Sequence, residues 1–85
     1  MTNKQLFKIL SSQQNRFINV YGYSFHLSYY NQTKDTEFYS ISIHDKYEGI
    51  IYKDYFGIND TSLNIKLNKL KDFIDDLFNK EKTRN

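Results

Sequence analysis

Eighty-five residues with a net charge of +2 make one domain and no more, and a chain of that length buries only about 60–65% of its unfolded surface, so its stability margin is thin. There is no cysteine, which excludes a disulfide framework and a thiolate metal site. The charge is too small for the electrostatic footprint of a strongly basic nucleic-acid binder.

The core must therefore come from large side chains, and seven phenylalanines and eight tyrosines supply them. Alanine, proline and tryptophan are absent as well, while Asn, Lys, Ile and Tyr abound. That skew is what an AT-rich coding sequence produces, as in a low-GC bacterium or its phage. The N-terminus lacks an apolar signal-peptide core and no apolar run approaches membrane-spanning length. The expectation is a cytoplasmic protein of a bacterial host cell with no membrane partner.

The first element is a short helix over about residues 3–13, "NKQLFKILSSQ". Thr2 or Asn3 caps it, and Thr2 with Gln5 has capping-box spacing. Leu6, Phe7, Ile9 and Leu10 form its apolar face. From Phe17 to Tyr30 the period falls to two, the signature of a strand. Ile18 and Val20 share one parity and Tyr23, Phe25, Leu27 and Tyr29 the other, so a bulge at Gly22 is expected to return both sets to one face. "NQTKD" (Asn31 to Asp35) is turn chemistry, and a second strand follows over about residues 36–44.

Setting Tyr30 opposite Thr36 places Leu27 against Tyr39, Phe25 against Ile41 and Tyr23 against Ile43 on one face. The other face then pairs His26 with Ser40 and Ser24 with Ser42, and a slip of one residue would scramble both faces. A third strand spans about residues 48–56. A two-residue Asp45–Lys46 loop sets Ile50 beside Ile41 and Tyr52 beside Tyr39, leaving Tyr47, Ile51 and Tyr55 on the non-core face.

"GIND" ends that strand, and Asp60, Thr61 or Ser62 caps a long helix over about residues 62–79. Leu63, Leu67, Leu70, Ile74 and Leu77 recur at three- and four-residue steps, widened by Phe73 and Phe78, with Ile65 pointing away. Residues 80–85 read as a frayed polar tail. The order is α-β-β-β-α in a single domain over residues 1–85. The economical arrangement is an α+β fold of two layers, a three-stranded antiparallel sheet with both helices on one face. The reverse of the sheet is then uncovered. Tyr30, Phe38, Tyr47, Ile51 and Tyr55 flank a strip of Ser24, His26, Ser28, Ser40, Ser42 and His44 there.

Catalytic chemistry finds little support. His26 can meet Ser40, but no acid stands behind it, and a serine nucleophile needs an orienting carboxylate and an oxyanion hole. In the register above His44 faces Gly22, roughly 13 Å from His26 at about 3.3 Å per residue, which is too wide for a metal. The acids Asp45, Glu48, Asp75 and Asp76 lack the spacing of a glycosidase pair or a calcium loop, and three scattered glycines make no phosphate cradle. No enzyme and no cofactor is expected.

Binding is the remaining class. Tyrosine is enriched at interface cores, and the aromatic rim around His26 suits protein recognition; edge pairing with a partner strand is a second route. The competing reading is a surface of scattered aromatics with no partner. The apolar rim and free edges also admit a homodimer.

Two families share the element order. The double-stranded-RNA-binding domain is similar in its αβββα topology and binds by shape along the minor groove. By that resemblance the lysines of the last helix in "NDTSLNIKLNKLK", Lys66, Lys69 and Lys71, would grip phosphates. The succession "KQLFKIL", "YSFHLSYY", "EFYSISIH" and "GIIYKDYF" resembles small phage-encoded inhibitors, including some anti-CRISPR proteins. That resemblance implies a host protein or ribonucleoprotein complex as the partner. Such inhibitors are often acidic DNA mimics; at +2 this chain would instead present an aromatic and polar contact surface.

Overall fold

In a computed structural model the chain forms α1 (Asn3–Asn15), β1 (Tyr23–Asn31), β2 (Glu37–Asp45), β3 (Gly49–Phe56) and α2 (Leu63–Arg84). The structure describes residues 1–31, 33 and 36–84, with side chains as far as residue 80. The three strands form an antiparallel sheet in the order β1-β2-β3. This is the α+β, αβββα arrangement that the sequence predicts.

The Thr2 hydroxyl accepts from the Gln5 amide at 3.2 Å while the Gln5 side chain accepts from the Thr2 amide at 2.8 Å, completing the capping box of α1. Leu6 and Leu10 from α1, and Leu63, Leu70, Ile74 and Leu77 from α2, are buried in one cluster with Phe25, Ile41, Ile43 and Phe56 of the sheet. Both helices therefore lie on the same sheet face. Full burial of each such side chain contributes about 1.5–3 kcal/mol, and seven of them are completely enclosed. At the α1 end, Arg16 reaches Asp75 of α2 at 2.8 Å and its guanidinium lies 4.7 Å from the Phe78 ring centre.

Four details differ from the sequence reading. No strand begins at Phe17. After α1 the amides of Phe17, Ile18 and Val20 donate to the carbonyls of Gln14, Asn15 and Phe17, so the chain runs on as successive tight turns. Phe17 enters the core from this turn and touches Phe25 and Phe78, each at 5.4 Å between ring centres. Ile18 is 72% exposed, and its alternation with Val20 is not strand pairing. Gly22, at φ +94°, closes the turn rather than forming a bulge.

The first hairpin is shifted by two residues. Tyr30 pairs with Phe38, Ser28 with Ser40, His26 with Ser42 and Ser24 with His44. The Thr36 amide donates to the Thr33 carbonyl, and the Thr36 hydroxyl accepts from the Thr33 amide at 2.8 Å. Thr36 thus serves the turn, and the ladder starts at Asn31 with Glu37. A shift of two preserves parity, so every strand residue keeps its face and changes its partner. Of the loop expected over Asn31–Asp35, positions 32, 34 and 35 lie outside the described residues.

In the second hairpin three residues, Lys46 to Glu48, connect the strands. The Asp45 carboxylate accepts from the amides of Tyr47 (2.7 Å) and Glu48 (3.3 Å), and Gly49 has φ +81°. That combination is a three-residue turn with a left-handed glycine. Ile43 then pairs with Tyr52 and His44 with Ile50, leaving Ile51 in a bulge. The expected pairs of Ile50 with Ile41 and Tyr52 with Tyr39 are replaced.

Finally, α2 continues to Arg84 through the segment expected to fray, because residues 79–84 hold no Gly or Pro to stop it. Among the described residues no helix is long and apolar enough to cross a membrane.

Candidate functional site

The parity of the strands assigns the uncovered face. Its rows, read across β1, β2 and β3, are Tyr30–Phe38, then Ser28–Ser40–Tyr55, then His26–Ser42–Lys53, then Ser24–His44–Ile50. Aromatic rings thus gather at one end and imidazoles at the other, with serines between.

At the aromatic end Tyr30 stacks on Phe38, 5.1 Å between ring centres and 18° between planes, and Tyr55 meets Phe38 edge-on at 5.8 Å. Such contacts contribute about 0.5–1.5 kcal/mol beyond burial. Tyr30 and Tyr55 remain 46% and 47% exposed, so the cluster holds its shape while presenting ring surface to solvent. Lys53, the one charged strand residue of this face among the described residues, lies 5.7 Å from the Tyr55 ring centre.

At the other end His26 and His44 meet edge to face at 4.7 Å. The expected separation of roughly 13 Å is overturned, because the register moves His44 from Gly22 to Ser24. Each ring nitrogen Nε2 contacts the serine two residues earlier on its own strand, His26 with Ser24 at 3.3 Å and His44 with Ser42 at 3.2 Å. Serine 42, not Ser40, stands opposite His26. Among the described residues no carboxylate backs either imidazole.

Of the residues singled out in the sequence, Tyr30, Phe38, Tyr55 and His26 come together on this face. Tyr47 stands in the β2–β3 turn, 84% exposed, apart from the rows. Ile51 turns to the helix side and packs against the core; the Asp45–Gly49 pairing gives the outward place opposite His44 to Ile50, and the bulge at Ile51 returns Lys53 and Tyr55 to the outward face. Ile50 takes the outward place instead, 57% exposed. The spacing "DKYEG", an aspartate with a glycine four positions on, is the signal that identifies this turn.

The lysines of α2 lie on the opposite side of the sheet. Lys66 Nζ is 2.8 Å from Asp60, 3.8 Å from Asp54 and 3.0 Å from the Tyr55 carbonyl. Its charge is committed inside the fold, joining the end of β3 to the first turn of α2. Lys69 and Lys71 are exposed. Hydrogen bonds from Lys66, and then from Ser62, hold the Asp60 carboxyl well below the usual carboxylate range.

The fold and face together define a small αβββα protein with one helix-covered and one uncovered sheet surface. Comparisons with family models, with curated proteins and with solved structures found no match to this chain.

Proposed function

We propose that the chain is a non-enzymatic protein-binding module, and that the uncovered sheet face is its contact surface. The observation that carries this reading is the Tyr30–Phe38–Tyr55 cluster, which crosses all three strands and leaves two half-exposed tyrosines on a face that no helix covers among the described residues. Rigid aromatic anchors surrounded by small polar groups suit the desolvated centre of a protein interface. His26, Ser40 and Ser42 supply polar contacts beside it, and Tyr47 adds a ring at the margin. With Lys53 as its only strand charge among the described residues, the face suits an uncharged partner surface better than a phosphate backbone.

Within this reading the partner is a host protein or ribonucleoprotein complex and the chain is its inhibitor, encoded by a phage or mobile element in the manner of an anti-CRISPR protein. The AT-rich composition and the small αβββα architecture support that narrower assignment. The test is capture from a nuclease-treated lysate of a low-GC bacterium, alongside plasmid survival in cells with an active CRISPR system. Wild-type chain should retain a partner and protect the plasmid, and Tyr30→Ala with Tyr55→Ala should do neither. Capture that disappears with nuclease, or equal capture by the variant, overturns the reading; self-association detected by sedimentation assigns the face to a second copy instead.

A further inference from the structure

The histidine end of the uncovered face carries a pattern beyond the polar contacts that the binding reading draws from His26. Ser24-Phe25-His26 on β1 and Ser42-Ile43-His44 on β2 are the same Ser-x-His triplet. Antiparallel pairing sets Ser24 opposite His44 and His26 opposite Ser42, so the two triplets face one another about a local two-fold axis through the sheet. The imidazoles occupy diagonal corners of that square and the hydroxyls the other two.

We propose that His26 and His44 form a two-imidazole site for a divalent transition ion of the zinc class. An ion about 2.0–2.1 Å from each ring nitrogen sits about 3.2 Å from each ring centre, which separates two rings on adjacent coordination positions by about 4.5–5.3 Å. The observed separation of 4.7 Å falls inside that window. His26 is exposed and His44 partly so, and each ring spends Nε2 on a serine of its own strand, which leaves Nδ1 of each imidazole as the donor for the ion. Zinc, copper and nickel prefer imidazole donors, whereas calcium and magnesium require oxygen cages.

The surroundings suit a cation held by neutral ligands. The Ser24 and Ser42 hydroxyls hold the rings in place, the positioning part that second-shell groups play around metal-binding histidines. Lys53 shares the row of His26 and Ser42, with its ammonium drawn 5.7 Å from the Tyr55 ring centre. Asp45 spends its Oδ1 on the turn amides of Tyr47 and Glu48. Among the described residues no group of three or more His, Cys, Asp or Glu converges, so the ion would have two ligands from the protein and complete its shell with water. A depression of about 380 Å3 lined by Gly22, Tyr23, Ser24, His44, Asp45 and Lys46 adjoins the His44 side of the site. The proposal does not depend on the protein-binding reading.

Titration of zinc chloride into the chain, carrying no added histidine run, tests it by calorimetry and by imidazole NMR. One ion should bind per chain at micromolar concentration, and the His26 and His44 ring signals should shift with a common midpoint. His26→Asn and His44→Asn should each weaken binding by at least about tenfold, and Ser24→Ala with Ser42→Ala by a smaller factor. Acidification should weaken it too, since protons compete for the same nitrogens. Absence of saturable binding, separate midpoints for the two rings, two chains per ion, or unchanged affinity in either histidine variant overturns the proposal. The wild-type NMR midpoints decide the matter even where a variant fails to fold.

Discussion

Lys66 stands 2.8 Å from the Asp60 carboxylate and donates to the Tyr55 carbonyl at 3.0 Å. One side chain thus joins the loop before α2, the first turn of α2 and the end of β3. Asp60 in turn accepts from both the amide and the hydroxyl of Ser62, at 2.8 and 2.7 Å. One of the three lysines expected to contact phosphates is thus a tie between the layers.

That tie gives the fold an acid dependence. The Asp60 carboxyl lies below its ordinary value of 3.8, first because of Lys66 and then Ser62. A depressed carboxyl contributes stability above its unfolded pKa and loses it as pH falls through the folded one. Asp60→Asn should therefore be less stable than wild type at pH 7, and the gap should narrow progressively below about pH 4. Urea unfolding across that range measures it; a gap constant with pH would contradict the assignment.

At high pH the sign reverses. Burial, and then the nearby Asp54, push the Tyr52 phenol up from 10.0 to about 12, and its ring packs on Phe73 at 4.8 Å. A raised pKa contributes stability below the unfolded value and loses it as pH climbs through the folded value. Wild type should lose stability between pH 10 and about 12, and Tyr52→Phe should lose less over the same window. Parallel pH profiles for the two proteins would show that Tyr52 is not the group responsible.

Gly22 tests the turn that replaces the expected bulge. Its φ is +94°, and nothing lies within 4 Å of where a Cβ would sit. Gly22→Ala should destabilise by about 1–2 kcal/mol through backbone conformation alone. Gly57 has no positive φ, and its added Cβ would meet the Glu37 carbonyl oxygen at 3.4 Å, so Gly57→Ala should cost less. The reverse order would refute the left-handed turn at Gly22.

The faces of the sheet were legible because side-chain parity survives a shift of two. Phe25, Ile41 and Ile43 sort together whether Phe25 faces Ile41 or, as it does, Ile43. Cross-strand neighbours do not survive it, which is why the meeting of His26 and His44 was hidden. Whether Thr36 serves a turn or a ladder depends on its contacts with Thr33, and hydrophobic alternation carries no trace of that choice. The Asp45 turn is different in kind: a glycine four positions after an aspartate was visible, and it alone decides that Ile50 rather than Ile51 points outward. The strand expected from Phe17 failed because Ile18 and Val20 alternate by coincidence in a segment whose amides already have partners one turn back.

The aromatic cluster lies outside the core, and unfolding of the Tyr30→Ala, Tyr55→Ala double variant in urea measures whether it does. Both rings are about half exposed, so the variant should unfold cooperatively with a loss of no more than about 2 kcal/mol. A loss above about 4 kcal/mol, or no cooperative transition at all, would place those rings in the structural core and rule out an open aromatic face.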